Sequence, residues 1–340
     1  MKLNNMKRAA AAVASMALLL GLAGCGAGSS SSAAQSGASS TASSTVNTES
    51  TGACKTGLGI VVGASVKDDR NASAVSTAVA VVLDSEGRIV SAALDVAQNS
   101  GSANEDGTLV VAESYQTKQE LGDDYGMRKA SGIGKEWYEQ ADAFCAYIVG
   151  MTADEVAAIP TDGSDADLAA GCTVGVDTFI EAAVKACQNA QELGANAGDT
   201  LSLAIVSENA HGNKDATAEE DGKLEIDSTF VVVTKGADGK VTSAVCDMVQ
   251  AAFTVAADGT LTAPEAVLTK LEKGDDYGMR KASGIGKEWY EQSEGFCAYL
   301  VGKDASEIAA IPTDGSDADL AASCTVGIDS MLNAAIKAAQ

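Results

Sequence analysis

Apolar positions along the chain follow two patterns, and each pattern occurs twice. Short apolar runs separated by polar turns predict two groups of strands. The predicted strands are residues 57–66, 76–83, 88–96 and 109–121 in the first group, and 201–206, 228–235, 240–249 and 266–271 in the second. Helical spacing of apolar residues follows each group, so both halves read as strands first and helices afterwards.

The helical parts each begin with an apolar stripe. A helix is predicted from near Lys135, because the apolar residues that follow fall on one helical face. That face is formed by Trp137, Ala141, Phe144, Cys145 and Ile148, and by Trp289, Ser293, Phe296, Cys297 and Leu300 in the second half. Such a face predicts packing of the helix against a sheet.

Polar residues mark the starts of further helices. Thr152 with Glu155 forms a capping-box pattern that predicts a short helix. Asp177 is predicted to cap the last helix of the first half, and Asp329 to cap the last helix of the second.

The two halves are copies of one unit. Residues 122–188 return 152 positions later as residues 274–340, with 51 identities in 67 ungapped positions. We therefore predict an α+β fold of two tandem copies of a small domain, each with an antiparallel sheet and helices packed on one side. Residues 56–192 are predicted to form repeat domain 1 and residues 196–340 repeat domain 2.

The first 55 residues differ in composition from the rest. Lys2, Lys7 and Arg8 precede an uncharged apolar stretch over residues 9–22, which ends at a Leu-Ala-Gly-Cys sequence. This pattern predicts a lipoprotein signal peptide over residues 1–24 with lipidation of Cys25. Residues 25–55 would then contain the lipidated Cys25 and a flexible Ser/Ala/Gly linker. We expect a protein on the outer face of the bacterial cytoplasmic membrane, in contact with the membrane only through its lipid anchor.

Charge and histidine content exclude several classes of function. The chain has a net charge of −24, which opposes binding to nucleic acid. The single histidine, His211, lies in a polar segment and is expected to be solvated. One histidine cannot supply a zinc site or a Ser-His-Asp triad in both copies, and no metal site is predicted. Asp123 and Asp124 are a weak candidate for an acid/base pair.

Four cysteines lie at matching positions in the two copies. In an exported chain, Cys145–Cys172 and Cys297–Cys324 could form disulfides. They could equally be small buried apolar residues, and the sequence leaves both interpretations open.

One segment of each copy resembles a known family. The stretch Asp-Leu-Ala-Ala-Gly-Cys-Thr at residues 167–173, followed by a helix, is similar to the attachment segment of FMN-binding domains. Such domains occur in flavin-carrying subunits of sodium-pumping quinone reductases and in surface electron-transfer lipoproteins. The resemblance implies that Thr173 accepts FMN, with Asp167 as the leading acid and Gly171 as the small neighbour. The matching residues in the second copy are Thr325, Asp319 and Ser323.

The resemblance favours an electron-transfer carrier, which holds FMN through a phosphoester and exchanges electrons with a redox partner, over a catalyst with its own substrate. Noncovalent FMN near Tyr125 or Trp137 is a variant of this hypothesis. The alternative is a non-redox binding module on the cell surface, which keeps the fold without flavin and holds a cell-wall component or a partner protein. A solute receptor is a third, weaker hypothesis.

Overall fold

Three long antiparallel strands form the centre of the first sheet. A computed structural model describes residues 44–45, 53–208 and 212–340 of the chain. The strands of the first repeat are β1 (Ser44–Thr45), β2 (Lys55–Lys67), β3 (Asn71–Leu83), β4 (Ile89–Ala103), β5 (Leu109–Val111) and β6 (Ser114–Tyr115). Strand β3 lies between β2 and β4, and the short strands β1 and β5 both pair with β4.

The second sheet has a similar arrangement and includes one strand from the first repeat. Its own strands are β7 (Thr200–Glu208), β8 (Gly222–Lys235), β9 (Val241–Val255) and β10 (Leu261–Thr262). The strand order is β10-β9-β8-β7-β6, so a strand from the first repeat completes the sheet of the second. Ser114 pairs with Glu208 and Tyr115 with Ser207.

The helices follow the strands in each repeat. They are α1 (Lys118–Leu121), α2 (Trp137–Ile148), α3 (Ala153–Ala157), α4 (Ala166–Ala169) and α5 (Asp177–Gln188), then α6 (Lys270–Lys273), α7 (Trp289–Leu300), α8 (Ala305–Ala309), α9 (Ala318–Ala321) and α10 (Asp329–Ala339). A short 3-10 helix follows α1 over Gly122–Tyr125 and α6 over Gly274–Tyr277. Each helix of the second repeat starts 152 positions after its counterpart, which confirms the duplicated α+β fold.

The two sheets pack face to face, with the helices on the outer faces. In β3, Val79 and Val81 contact the helices of their own repeat. Ala78 and Ala80, which alternate with them, pack against the second sheet around Phe230. The layer order is therefore helices, sheet, sheet, helices. Because both faces of the strand are buried, its apolar residues form a continuous run rather than an alternating one.

Reciprocal ion pairs join the repeats. Lys185 on α5 pairs with Glu272 on α6 at 2.8 Å, and Lys337 on α10 pairs with Glu120 on α1 at 2.6 Å. Each residue of one pair lies 152 positions from its counterpart in the other. The repeats are therefore related like the two subunits of an isologous dimer, and the described residues of both repeats belong to one compact unit.

Most helix predictions are confirmed. The predicted apolar face of α2 is buried from Trp137 to Ile148, and that of α7 is buried from Trp289 to Leu300. Thr152 caps α3 by accepting a hydrogen bond from the Glu155 backbone, as the capping-box pattern predicts.

Three boundary predictions are wrong. Residues 266–271 contain no strand, because Thr269 and Glu272 form a capping box that starts α6. Residues 109–121 contain two short strands and then α1, which begins with the same kind of box at Thr117. Asp177 and Asp329 are not the capping residues of the last helices but their first helical residues. The capping positions are Val176 and Ile328, whose side chains make no capping hydrogen bond. The aspartate carboxylates still lie where the helix dipole favours negative charge.

Candidate functional site

The two candidate acceptor threonines lie in equivalent, exposed loops. Thr173 follows α4 and precedes α5, and Thr325 lies between α9 and α10 in the same way. Both residues are exposed, whereas the cysteine that precedes each of them is buried. The loop is therefore anchored by Cys172 or Cys324 while the threonine faces solvent.

A buried glutamine holds each threonine in place. The side-chain oxygen of Gln140 accepts hydrogen bonds from Thr173 N at 2.8 Å and from Thr173 Oγ1 at 3.1 Å. Gln292 accepts the same two bonds from Thr325 at 2.8 and 3.1 Å. Both glutamines are fully buried, so the hydroxyl positions are set by a rigid part of the domain. Gln140 was not a predicted site residue, since nothing in its sequence context distinguishes it from other helical residues.

The same glutamines tie the threonine loop to the loop before α2. The Gln140 amide nitrogen donates to Ser131 Oγ and to the Lys135 carbonyl, both at 3.2 Å. Gln292 makes both bonds to Ser283 and Lys287 at 3.1 Å. The threonine loop and this second loop therefore form one connected surface in each repeat.

A buried carboxylate shapes the second loop. Glu136 is 2% exposed and accepts hydrogen bonds from the backbone nitrogens of Met127 at 2.8 Å and Arg128 at 2.7 Å. Arg128 then pairs with Asp123 at 2.7 Å and with Glu139 at 2.6 Å. Asp123 is thus part of an ion-pair network that supports the loop, which does not favour an acid/base role for it with Asp124.

The predicted leading acids lie beside the residues that cap the preceding short helix. Asp167 and Asp319 are exposed in the first turns of α4 and α9. The capping residue of α4 is Asp165, which accepts bonds from Leu168 N at 2.8 Å and from the Tyr147 hydroxyl at 2.7 Å. The tyrosine–aspartate contact, which recurs between Tyr299 and Asp317, was missed because the two residues are far apart in sequence.

Gly171 and Ser323 have a packing role that the sequence did not reveal. A Cβ atom at Gly171 would lie 2.9 Å from Ala143 Cβ on α2. In the second repeat a serine replaces this glycine, and a glycine, Gly295, replaces the alanine. A Cβ atom at Gly295 would lie 2.8 Å from Ser323 Cβ. Each contact therefore has a glycine on one side. Ser323 replaces the glycine of the first repeat, but Gly295 on the helix still allows the loop to lie close to it.

A cavity of about 270 Å³ adjoins Thr173. Its walls include Leu168 and Val174, and the carboxylates of Asp162 and Asp165 lie at its border. A second cavity of about 290 Å³ adjoins the loop after Thr325 and includes Trp289 and Met279. Both volumes are near the lower limit for small-molecule sites. Trp289 at the border of the second cavity is only 3% exposed, as Trp137 is in the first repeat.

One basic residue lies near each threonine. Burial raises the pKa of the Cys172 thiol, and the positive charge of Lys135 opposes that rise. Lys287 acts in the same way on Cys324. Each threonine loop is therefore within electrostatic reach of an ammonium group, which favours an anionic group at the hydroxyl.

The aromatic residues and the cysteines near the site belong to the core. Trp137 is 3% exposed and packs edge-on against Phe179 with ring centroids 6.0 Å apart. Its ring is therefore closed to a flavin, whereas Tyr125 is partly exposed. Cys145, Cys172, Cys297 and Cys324 are buried free thiols, which agrees with the small-apolar interpretation of these residues.

Two further carboxyl groups are buried at the starts of α1 and α6. Asp95 Oδ1 accepts from Gln119 N at 3.1 Å, and Asp247 Oδ1 accepts from Leu271 N at 3.0 Å. Desolvation raises the pKa of Asp95 to about 6 and that of Asp247 to about 7, from an ordinary value of 3.8. The folded state therefore binds these protons more tightly than the unfolded state does.

We expect the free energy of unfolding to fall by about 2 kcal/mol between pH 6 and pH 8 because of these two groups. Their stabilising contribution is complete below the unfolded pKa and is lost as the pH rises through the folded values. Thermal unfolding followed by circular dichroism across this range would measure it. Asp95→Asn with Asp247→Asn should flatten the dependence, whereas Asp124→Asn, at an exposed position, should not. An equally steep dependence in the double variant would contradict the assignment.

Two predicted features lie outside the described residues: the lipidation site Cys25 with its signal peptide, and His211. Within residues 53–208 and 212–340, no helix has the length and apolar character needed to cross a bilayer. The same residues contain no group of three or more His, Cys, Asp or Glu side chains placed to hold a metal ion.

Comparisons with known proteins add no relative. No protein-family model matches the chain, and neither a curated protein nor a solved structure does.

Proposed function

We propose that this chain is a lipid-anchored extracytoplasmic electron carrier with one FMN attached at Thr173 and another at Thr325. The observation that carries the proposal is the matched geometry of the two threonines. In both repeats the hydroxyl is exposed, and its position is set by a fully buried glutamine. An attachment site needs this combination, because the hydroxyl must be reachable while its backbone stays fixed.

One basic residue near each threonine loop would attract a phosphate group. Lys135 and Lys287 supply positive charge near the two loops. The cavity that includes Thr173 gives space beside that hydroxyl, whereas the cavity in the second repeat begins at Val326 and does not include Thr325. FMN supplies one- and two-electron transfer when it is bound. On attachment from FAD, Thr173 Oγ1 forms the bond to phosphorus, AMP leaves, and the hydroxyl proton is released.

Gln140 and Gln292 would keep their role after attachment. The esterified oxygen no longer donates a hydrogen bond, but Thr173 N still donates to Gln140 at 2.8 Å. The loop therefore keeps one of its two bonds to the buried glutamine, and the same holds for Thr325 and Gln292.

We expect the mature chain, co-expressed with a flavin transferase, to be yellow and to carry the mass of two FMN groups. Thr173→Ala and Thr325→Ala should each remove one group, and the double variant should remove both. Intact-mass spectrometry and the visible absorption spectrum measure the two effects. Thr161→Ala is a matched control, because Thr161 borders the same cavity as Thr173. An unmodified, colourless chain under these conditions would refute the proposal.

A non-redox binding module is the second candidate, and the charges near the site favour it. Asp162 and Asp165 border the cavity beside Thr173, and Asp177 and Asp329 lie in the first turns of α5 and α10. These carboxylates oppose a phosphate more than a neutral or cationic ligand. If the chain is colourless under the conditions above, the result supports a binding module whose ligand is a cell-wall component or a partner protein.

A further inference from the structure

A groove follows the outer edge of β9 in the second repeat. It consists of two adjoining cavities of about 340 and 350 Å³ that share the residues Gln191, Val245, Leu271 and Glu294. Strand β10 pairs with β9 only at Thr254 and Val255. Among the described residues, no strand covers the outer edge of β9 near Ala244.

The matching edge in the first repeat is covered by a strand. Ser44 and Thr45 of β1 pair antiparallel with Ala92 and Ser91 of β4. Ala92 is the counterpart of Ala244, 152 positions earlier. Strand β1 also contacts α2, the counterpart of α7, so it lies between the sheet edge and the helix. An extended backbone therefore already occupies this place in one of the two repeats.

The two repeats differ in how a helix is joined to this strand edge. In the first repeat, the buried amide of Gln119 donates to the Leu94 carbonyl at 3.1 Å and to Asp142 at 3.3 Å. Leu271 replaces this glutamine in the second repeat, and the sheet is joined to α7 there by Ser293, whose hydroxyl donates to the Cys246 carbonyl at 2.9 Å. Glu294, the counterpart of Asp142, is exposed and lines the groove.

The chain that links the repeats does not close the groove either. Gln191 lines both cavities, but its backbone pairs with Thr56 at the start of β2, with N–O distances of 2.9 and 3.0 Å. The linker therefore forms a wall of the groove, and no strand in the described part of the chain pairs with the outer edge of β9 at Ala244.

The two ends of the groove differ in chemistry. One end is lined by small or apolar side chains, including Ala244, Ala298 and Val301, and Val301 is 43% exposed. The other end holds Glu272 and Asp247, with Lys185 bonded to Glu272 at 2.8 Å. Glu294 belongs to both cavities. Asp247 is buried and its pKa is raised, so the charge at the polar end comes mainly from Glu272 and Glu294 against Lys185, and this balance favours a basic ligand there.

We propose that this groove binds an extended segment of a partner protein, which adds a strand antiparallel to β9 at Ala244. Main-chain hydrogen bonds to the strand edge would supply affinity, and side-chain positions along the groove would supply specificity. Because an antiparallel segment passes Asp247 before Ala244, its basic residue lies on the amino-terminal side of its small apolar residues.

Charge argues against a second copy of this chain as the occupant. The segment around β1, residues 41–50, contains no basic residue and one acidic residue, Glu49. A partner segment with lysine or arginine would complement Glu272 and Glu294 better than this segment does. The occupant is therefore a different protein with a basic, then small and apolar, extended sequence.

Binding of a labelled peptide to the mature chain tests the proposal without any flavin. The probe is Lys-Lys-Ser-Ser-Thr-Val-Asn-Thr, in which two lysines precede the sequence of residues 43–48. We expect saturable binding by fluorescence anisotropy, at least tenfold weaker binding with Glu-Glu in place of Lys-Lys, and slower amide hydrogen exchange at residues 243–246. Ala298→Trp should weaken binding at least tenfold. Ala146→Trp, at the exposed counterpart in the first repeat, should leave it unchanged.

Three results would overturn the proposal. The first is no anisotropy change at millimolar protein. The second is equal affinity in Ala298→Trp and the unmodified chain, which would place the peptide elsewhere. The third is a concentration-dependent dimer that Ala298→Trp abolishes, because that result would assign the groove to a second copy of the chain. Glu294→Gln, at an exposed position that folding should tolerate, gives an independent test and should weaken binding severalfold.

Discussion

Replacing Glu136 with alanine is expected to lower the free energy of unfolding by about 3 kcal/mol, and to free the loop before α2. The carboxylate is buried and accepts the backbone N–H groups of Met127 and Arg128. Removing it leaves two donors without their acceptor in a site that water cannot easily enter. Urea unfolding measures the stability, and amide hydrogen exchange at residues 126–135 measures the loop.

The duplication supplies controls for this experiment. Glu288 accepts the same two bonds from Met279 at 2.7 Å and from Arg280 at 2.8 Å. Glu288→Ala should therefore produce the same loss in the second repeat. Asp124→Ala, an exposed residue near the same loop, should change stability by less than about 0.5 kcal/mol. A loss below about 1 kcal/mol for Glu136→Ala would show that the loop does not depend on this carboxylate.

The helical half of each repeat could be predicted from sequence because its signals are local. The spacing of Trp137, Phe144 and Ile148 defines one face of α2 without knowledge of its partner. The box of Thr152 and Glu155 likewise lies within four residues. The same kind of box occurs at Thr117 and Thr269, but the apolar residues beside these boxes also fit a strand pattern, so the local signal there is ambiguous.

The contacts between distant segments could not be predicted. Gln140 meets Thr173 only because α2 and the loop after α4 are brought together by the fold. The exchange of small residues between Gly171 and Gly295 is visible only when both contacts are compared. The packing of the two sheets against each other did leave a sequence signal. The unbroken apolar run of β3, from Ala78 to Leu83, is typical of a strand buried on both faces.

At the candidate site, too, the sequence predicted positions along the chain but not the contacts between distant segments. Exposure of Thr173 and Thr325 agrees with the resemblance that selected them, whereas Asp167 and Asp319 lie beside the capping residues Asp165 and Asp317. The resemblance identifies positions along the chain, but hydrogen bonds decide what each residue does. The groove along β9 had no sequence signal, since it exists through a difference between two otherwise similar repeats.

Replacing Gly59 with alanine is expected to destabilise the fold by about 3 kcal/mol or more. A Cβ atom at this position in β2 would overlap the Ala182 carbonyl oxygen and the Ala186 nitrogen of α5. Both obstacles are backbone atoms of a helix whose Lys185 is bonded to the Ile60 carbonyl at 3.1 Å. The helix must move away from the sheet, and the ion pair between Lys185 and Glu272 would be disturbed with it.

Two other positions serve as controls for the expected effect of Gly59→Ala. Gly63 lies on the same face of β2, but a Cβ atom there would meet no atom within 4 Å. Gly63→Ala should therefore be neutral or should stabilise by about 0.4–1 kcal/mol through the unfolded chain. The counterpart of Gly59 in the second repeat is Ala204, because Lys337 bonds to the Ile205 carbonyl as Lys185 bonds to that of Ile60.

The comparison of repeats predicts that α5 lies closer to its sheet than α10 does, since β7 already carries a Cβ at this contact. Ala204→Gly should then cost only about 1 kcal/mol, from the lost methyl group and the added backbone freedom. Urea unfolding of the three single variants at one pH would compare these values directly. Similar losses in Gly59→Ala and Gly63→Ala would mean that α5 can shift without cost, and that its close contact with β2 does not hold the first repeat together.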